Sequence, residues 1–125
     1  MMGISMTIDQ GDIWLVKFYP KTGSEISKIR PAIVVSHNSI GKLPLKTVVP
    51  ITEWKDSYKE YPWMIKVEKT NQNNLSKISA VDCFQIKSFS DERFEKKIGQ
   101  VNENLLKEIH QTILKTLNPI YNIKE

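Results

Sequence analysis

The stretch "RPAIVVSH", residues 30–37, sets an arginine and a proline directly before four consecutive apolar residues. A strand exposed on one face alternates apolar and polar side chains, whereas an unbroken apolar run marks a strand covered on both. The run therefore predicts a strand buried in a barrel or beneath a helix. Pro31 is expected at its start, where a missing N–H does least harm. Arg30, one of only two arginines in the chain, is thereby tied to the strand's end.

Working outward, "DIWLVKF" (12–18) reads as a strand, and "YPKTGSEISKI" (19–29) as a long loop of the kind that carries function. "KTVVPIT" (46–52) is a strand in which Pro50 signals an edge, a bulge or a sharp bend. "WMIKVE" (63–68) is another, and "ISAVDCFQIKSF" (78–89) reads as two short strands broken near Asp82. Six short strands separated by turns point to a small, strongly bent sheet or barrel. "SDERFEKK" (90–97) has the marks of a short helix, with Ser90 as cap and Asp91 and Glu92 in its first turn. The clearest element is "NENLLKEIHQTILKTLNP" (102–119). Leu105, Ile109, Ile113 and Leu117 recur every four residues with Leu106 and Leu114 beside them, Asn102 can cap the start, and Asn118–Pro119 supplies a stop. The expected fold is mainly β with α elements: a strongly curved antiparallel sheet or barrel with a C-terminal helix. One domain is expected over 10–118, with a loose leader at 1–9 and a tail at 119–125.

With 125 residues, 40% hydrophobic and 26% charged, the chain fits one globular domain. The net charge of +4 mildly favours a polyanionic partner, but the lysines are scattered, as a solvated surface also requires. A single cysteine, Cys83, excludes an intrachain disulfide and a cysteine-cluster metal site, which fits a reducing, cytoplasmic setting. No apolar run approaches the length of a membrane span, and the first residues lack the pattern of a secretory signal.

Phosphate loops, dinucleotide fingerprints and zinc-protease motifs are absent from the sequence. What remains is a polar set at strand ends and in the first loop: Glu25, Arg30 and Thr52. If the second and third strands are neighbours, Arg30 and Thr52 approach each other. Arginine then offers rigid donors to a phosphate, threonine a short hydroxyl, and glutamate a proton acceptor. The plainer alternatives are an ion pair between Arg30 and Glu25 and an ordinary strand-end hydroxyl at Thr52. Cys83, in an apolar strand, is expected to be packed. His37 follows a strand end and is either a general acid, since its ordinary pKa lies near neutrality, or merely solvated or hydrogen-bonded, while His110 belongs to the helix.

In order, "GDIWLVKFYPKTGSEISKIRPAIVVSHNS", "KTVVPIT", "ISAVDCFQIKSF" and "DERFEKKIGQV" resemble the segments of the MazF/PemK-type toxin family of bacterial toxin–antitoxin systems. The resemblance implies an SH3-like barrel, a homodimer, a cognate antitoxin, and metal-independent cleavage of single-stranded RNA without a cofactor. It places the catalytic arginine on Arg30, the catalytic threonine on Thr52 and the acidic loop residue on Glu25. Ser79 and Gln85 take supporting or RNA-facing roles, with Lys28, Trp54 and His37 as further RNA-side candidates. Asn74–Leu75 stands where relatives often have Gly-Leu, and the loop after "PIT" carries Trp54, Tyr58, Tyr61 and Trp63. Either tryptophan can stack on a splayed base; alternatively Trp63 packs in the core and Trp54 caps the sheet edge. A gyrase-poisoning toxin family shares the general fold, so a non-catalytic protein acting on DNA gyrase or RNA is the competing expectation.

Overall fold

The computed structural model describes residues 7–18, 28–40 and 44–118. The loop carrying Glu25, most of the expected leader, residues 41–43 and the tail from Pro119 lie outside the described residues. Seven antiparallel strands form one sheet: β1 (Asp12–Phe18), β2 (Lys28–Val34), β3 (Leu45–Glu53), β4 (Met64–Val67), β5 (Ser79–Asp82), β6 (Lys87–Ser90) and β7 (Phe94–Gln100). Their order is β4-β5-β3-β2-β1-β7, with β6 also on β3, and a C-terminal helix, α1 (Glu103–Leu117), completes the fold. The loop after β4 reaches the opposite edge strand: Gln100 N–H donates to the Gln72 carbonyl at 3.1 Å, and Asn74 Nδ2 to the Ile98 carbonyl at 2.8 Å.

The apolar run of β2 is buried on both faces. Ile33 joins Ile13, Val49, Ile51, Ile65, Val81 and Ile109 in a core beneath α1. Ala32 and Val34 point the other way, to Trp14, Val16, Val48, Phe89 and Phe94. Alternation along β2 and β3 thus feeds two cores. Asp12 is wholly buried and knits β1 to β7. Its Oδ2 accepts from Asp9 N–H (2.9 Å) and Trp14 Nε1 (3.1 Å), while Oδ1 accepts from Gln100 Nε2 (3.4 Å) and meets Lys97 Nζ at 3.2 Å.

The prolines act on the pairing of β3. Val35 N–H donates to the Thr47 carbonyl and Gly11 N–H to the Val34 carbonyl, so odd-numbered residues of β2 face β3 and even-numbered ones face β1. Pro31 therefore turns its missing N–H toward β3, and the β2–β3 ladder ends at Ala32–Pro50, the last pair before it. On the other side of β3, β6 pairs as far as Val48 and β5 begins at Ile51. Pro50, which by the same alternation faces that side, falls in the break, so its lack of a donor costs no ladder bond. Pro50 thus lies inside a central strand, and Pro31 is the fourth residue of a strand that starts at Lys28 rather than its first.

Other expectations are corrected. Ser90 accepts from Glu92 N–H at 3.4 Å but caps only a 3-10 turn, Asp91–Arg93. From Phe94 the chain pairs with β1 as a seventh strand, because Phe94 is buried and meets Trp14 edge-on at 6.0 Å. An eight-residue helix would be marginal without such packing. Ile8, inside the expected leader, is buried in the second core. In α1, Asn102 caps Leu105 N–H at 2.8 Å and Asn118 ends the helix in the left-handed region at φ 44°. The helix docks through Leu105, Ile109, Thr112 and Ile113, whereas Leu114 and Leu117 are exposed. Leu114 lies roughly 140° around the helix from Ile109 at 100° per residue, so it cannot share the buried face.

Candidate active-site cleft

Where the β2–β3 ladder stops, the two strands part and a cleft of about 270 Å³ opens, lined by Phe18, Arg30, Pro50, Thr52, Tyr58, Met64, Asp82 and Gln85. Continued past its last pair, Ala32–Pro50, the register would set Arg30 opposite Thr52. Alternation then sorts the side chains. Ile51, Ile65 and Val81 point to the core beneath α1, so Thr52, Met64 and Asp82 point to the opposite face. Arg30 shares that face with Ala32 and Val34. The cleft thus opens away from α1, which contributes none of its residues.

Phe18, Pro50 and Met64 give it an apolar floor; Arg30, Thr52, Tyr58, Asp82 and Gln85 supply the polar groups. Arg30 and Thr52 are half-buried, and Arg30 forms no ion pair with an acidic side chain among the described residues. Its guanidinium is the cation of the lining. Asp82 is almost fully buried and organises the turn that follows it: Oδ1 accepts from Phe84 N–H at 3.1 Å, and Oδ2 from the Gln85 side-chain amide at 2.8 Å. The next residue, Cys83, is completely buried. Burial, then the Asp82 and Glu108 carboxylates, push its thiol up to about 12, so it is a packed, protonated side chain.

Of the residues singled out from sequence, Arg30, Thr52 and Gln85 meet in the cleft. Lys28 is exposed two residues before Arg30, on the same side of β2 by alternation. Trp54 directly follows β3 beside the cleft, edge-on to Tyr58 at 5.7 Å and beneath Lys66 Nζ at 5.4 Å, with its buried indole N–H unpaired among the described residues. Ser79 is not in the cleft. Two residues before Val81, it takes the helix-side face, where its hydroxyl donates to the Lys77 carbonyl at 2.8 Å. His37 is exposed and bonded to Ser39 past the other end of β2, about 23 Å from Arg30 at the rise of an extended strand. His110 is structural, its Nε2 lying 2.9 Å from the Val35 carbonyl. Sequence reasoning passed over Asp82 and Tyr58 as cleft residues. For Asp82 the signal was present, since a polar residue beside apolar Val81 must take the opposite face of the strand. Among the described residues no group of three His, Cys, Asp or Glu side chains gathers to hold a metal, and no helix is long and apolar enough to cross a membrane.

A small antiparallel sheet backed by one helix thus carries an arginine and a threonine in one cleft on the face away from that helix. Residues 9–117 match the family of PemK-like, MazF-like toxins of type II toxin–antitoxin systems, and the chain belongs to that family. The endoribonuclease MazF9 of Mycobacterium tuberculosis is 30% identical over 110 residues, covering 83% of this chain and 91% of the relative. The endoribonuclease MazF of Staphylococcus saprophyticus is 24% identical over 104 residues, covering 83% and 86%. Among solved structures, MazF from Deinococcus radiodurans superposes with a TM-score of 0.71 at 22% identity, over 92% of this chain and all (100%) of the other. A mycobacterial endoribonuclease in complex with its cognate antitoxin gives 0.69 at 14%, over 91% and 98%.

Proposed function

We propose that this protein is a sequence-selective endoribonuclease toxin that cuts single-stranded RNA by transesterification. The observation that carries the reading is the convergence of Arg30 and Thr52 on one cleft, with the arginine unpaired among the described acidic residues. The ribose 2′-oxygen attacks the adjacent phosphorus and the 5′-oxygen leaves, giving a 2′,3′-cyclic phosphate and a 5′-hydroxyl. The nucleophile belongs to the substrate, so the protein's task is to stabilise charge. Arg30 stabilises the negative charge that grows on the nonbridging oxygens, and Thr52 donates to one of them. Gln85, held by Asp82, orients the nucleotide, and Lys28 extends the cationic wall toward the neighbouring phosphate. Glu25 in the loop before β2 accepts the 2′-hydroxyl proton, an assignment that rests on the family resemblance.

The sheet is read as an SH3-like barrel, which the hydrogen bonds from the loop after β4 to β7 support. A homodimer and an acidic antitoxin are proposed as partners, supported by the family and by the net charge of +4.

Antitoxin-free protein incubated with a long single-stranded RNA in EDTA is expected to cut at a few short sequences and leave 5′-hydroxyl ends. Arg30→Ala is expected to lower the cleavage rate about 10²–10³-fold, the usual cost of a lost charge-stabilising donor. No cutting by the native protein would overturn the nuclease reading and leave a non-catalytic binding protein, and undiminished cutting by Arg30→Ala would overturn the catalytic role of Arg30. Predominant 5′-phosphate ends would refute transesterification.

A further inference from the structure

Five aromatic rings run in unbroken contact away from the cleft. Tyr58, in the cleft wall, meets Trp54 edge-on at 5.7 Å and Tyr61 at 6.0 Å. Tyr61 stacks on Trp63 at 5.0 Å with planes 3° apart, and Trp63 meets Phe84 at 6.0 Å. Two members are open to solvent, Phe84 at the end of the row at 65% and Tyr61 in its middle at 39% exposure. Phe84 is also fixed to the cleft from the other side: its N–H donates to Asp82, the carboxylate that holds Gln85. The ledge therefore meets the cleft at Tyr58 and again through the Phe84 backbone at Asp82, while Trp63 between them also borders Thr112, Lys115 and Thr116 of α1.

Its chemistry differs from that of the cleft. Between Glu53 and Lys66 three lysines (55, 59 and 66) are balanced by Glu53, Asp56 and Glu60, so the segment carries no net charge. A neutral surface does not attract phosphates, whereas exposed rings offer π-faces to any base. Phe84 packs on Trp63 yet stays largely exposed, one residue from the Gln85 of the cleft.

We propose that Phe84, with Tyr61 and Trp63 behind it, stacks a nucleobase of the single-stranded RNA next to the phosphate held by Arg30, and so sets where the strand is gripped. The proposal rests on the ribonuclease reading for its substrate. The ledge supplies affinity and register rather than charge stabilisation, so its loss raises KM and leaves kcat unchanged, the reverse of the pattern expected for Arg30.

Two measurements test it. In cleavage kinetics on an RNA oligomer carrying one mapped site, Phe84→Ala is expected to raise KM about tenfold with kcat within about twofold, since one base–aromatic stack changes affinity by that order. Phe84→Tyr is expected to restore KM and Phe84→Leu is not. In binding, a 2′-deoxy version of the same oligomer, which cannot be cleaved, is titrated against tryptophan fluorescence. Phe84→Ala is expected to weaken it by the same factor, and an abasic residue at the stacked position is expected to remove the difference between variant and parent. This arm stands even if no RNA is cut, so failure of the nuclease reading is distinguishable from failure of the stack. Unchanged KM and unchanged oligomer affinity in Phe84→Ala would overturn the proposal, as would full rescue by leucine. Loss of dimer or antitoxin binding in that variant, with oligomer affinity intact, would assign the ledge to a protein partner and overturn it equally.

Discussion

Arg30 owes its setting to the residue after it. Pro31 has no N–H to offer β3, and the β2–β3 ladder ends one pair before it, which leaves Arg30 at the cleft rather than within the paired ladder. The Arg-Pro step was readable in the sequence; the side of β2 on which the proline's missing donor falls was not, because that depends on a register only pairing fixes. Asp82 was passed over as a site residue for a related reason, since its strand looked uniformly buried until alternation separated its faces. Cys83 was read correctly as packed, and its burial has a consequence in solution. The folded thiol, at about 12, holds its proton more tightly than the ordinary thiol at 9.0. The stability it contributes is complete below pH 9.0 and is lost as the pH rises through about 12. Urea titrations of parent and Cys83→Ala are expected to show the stability gap between them shrinking across that interval, and a pH-independent gap would refute it. At pH 8 the folded thiol is expected to resist a thiol-specific disulfide reagent until urea unfolds the chain.

Among the elements, α1 and β1 declared themselves through period and caps, while β7 did not. The charged run Glu95–Lys96–Lys97 carries no strand signal, and only Phe94 and Ile98 reach apolar neighbours. Its identity comes from β1, whose free edge takes up its backbone groups. The far end of β7 is fixed by close approach. A Cβ on Gly99 would lie 2.5 Å from the Asn73 carbonyl oxygen. The loop that carries Asn73 cannot easily yield: Asn73 Oδ1 accepts from Thr70 N–H (2.9 Å) and Leu75 N–H (3.0 Å), and its Nδ2 donates to the Glu68 carbonyl (2.9 Å). Gly99→Ala is expected to cost about 1–3 kcal/mol, read from the urea midpoint, as an overpacked site does. A midpoint unchanged from the parent would mean that the β4 loop and β7 are not held against each other.

For the molecule as a whole, the sequence pointed to a bent antiparallel sheet with a C-terminal helix and to a strand covered on both faces, but not to the strand order or to the residues that fill the second core. Both depend on contacts between distant segments. The two cores share β1, β2 and β3, so neither can melt alone. Ile109→Ala beneath the helix and Phe89→Ala on the other face are expected to cost about 2–5 and 3–5 kcal/mol. Each should move one cooperative transition in which far-UV circular dichroism and tryptophan fluorescence coincide. Separate transitions would show that the faces unfold independently. The same strands give the cleft an unusual independence from time. At its mouth Pro31 offers β3 no N–H, so no bond from that donor has to break when a ligand arrives. A ligand proposed to enter at Arg30 and Thr52 would then meet a site that the strand pairing leaves accessible, and its arrival would be governed by encounter.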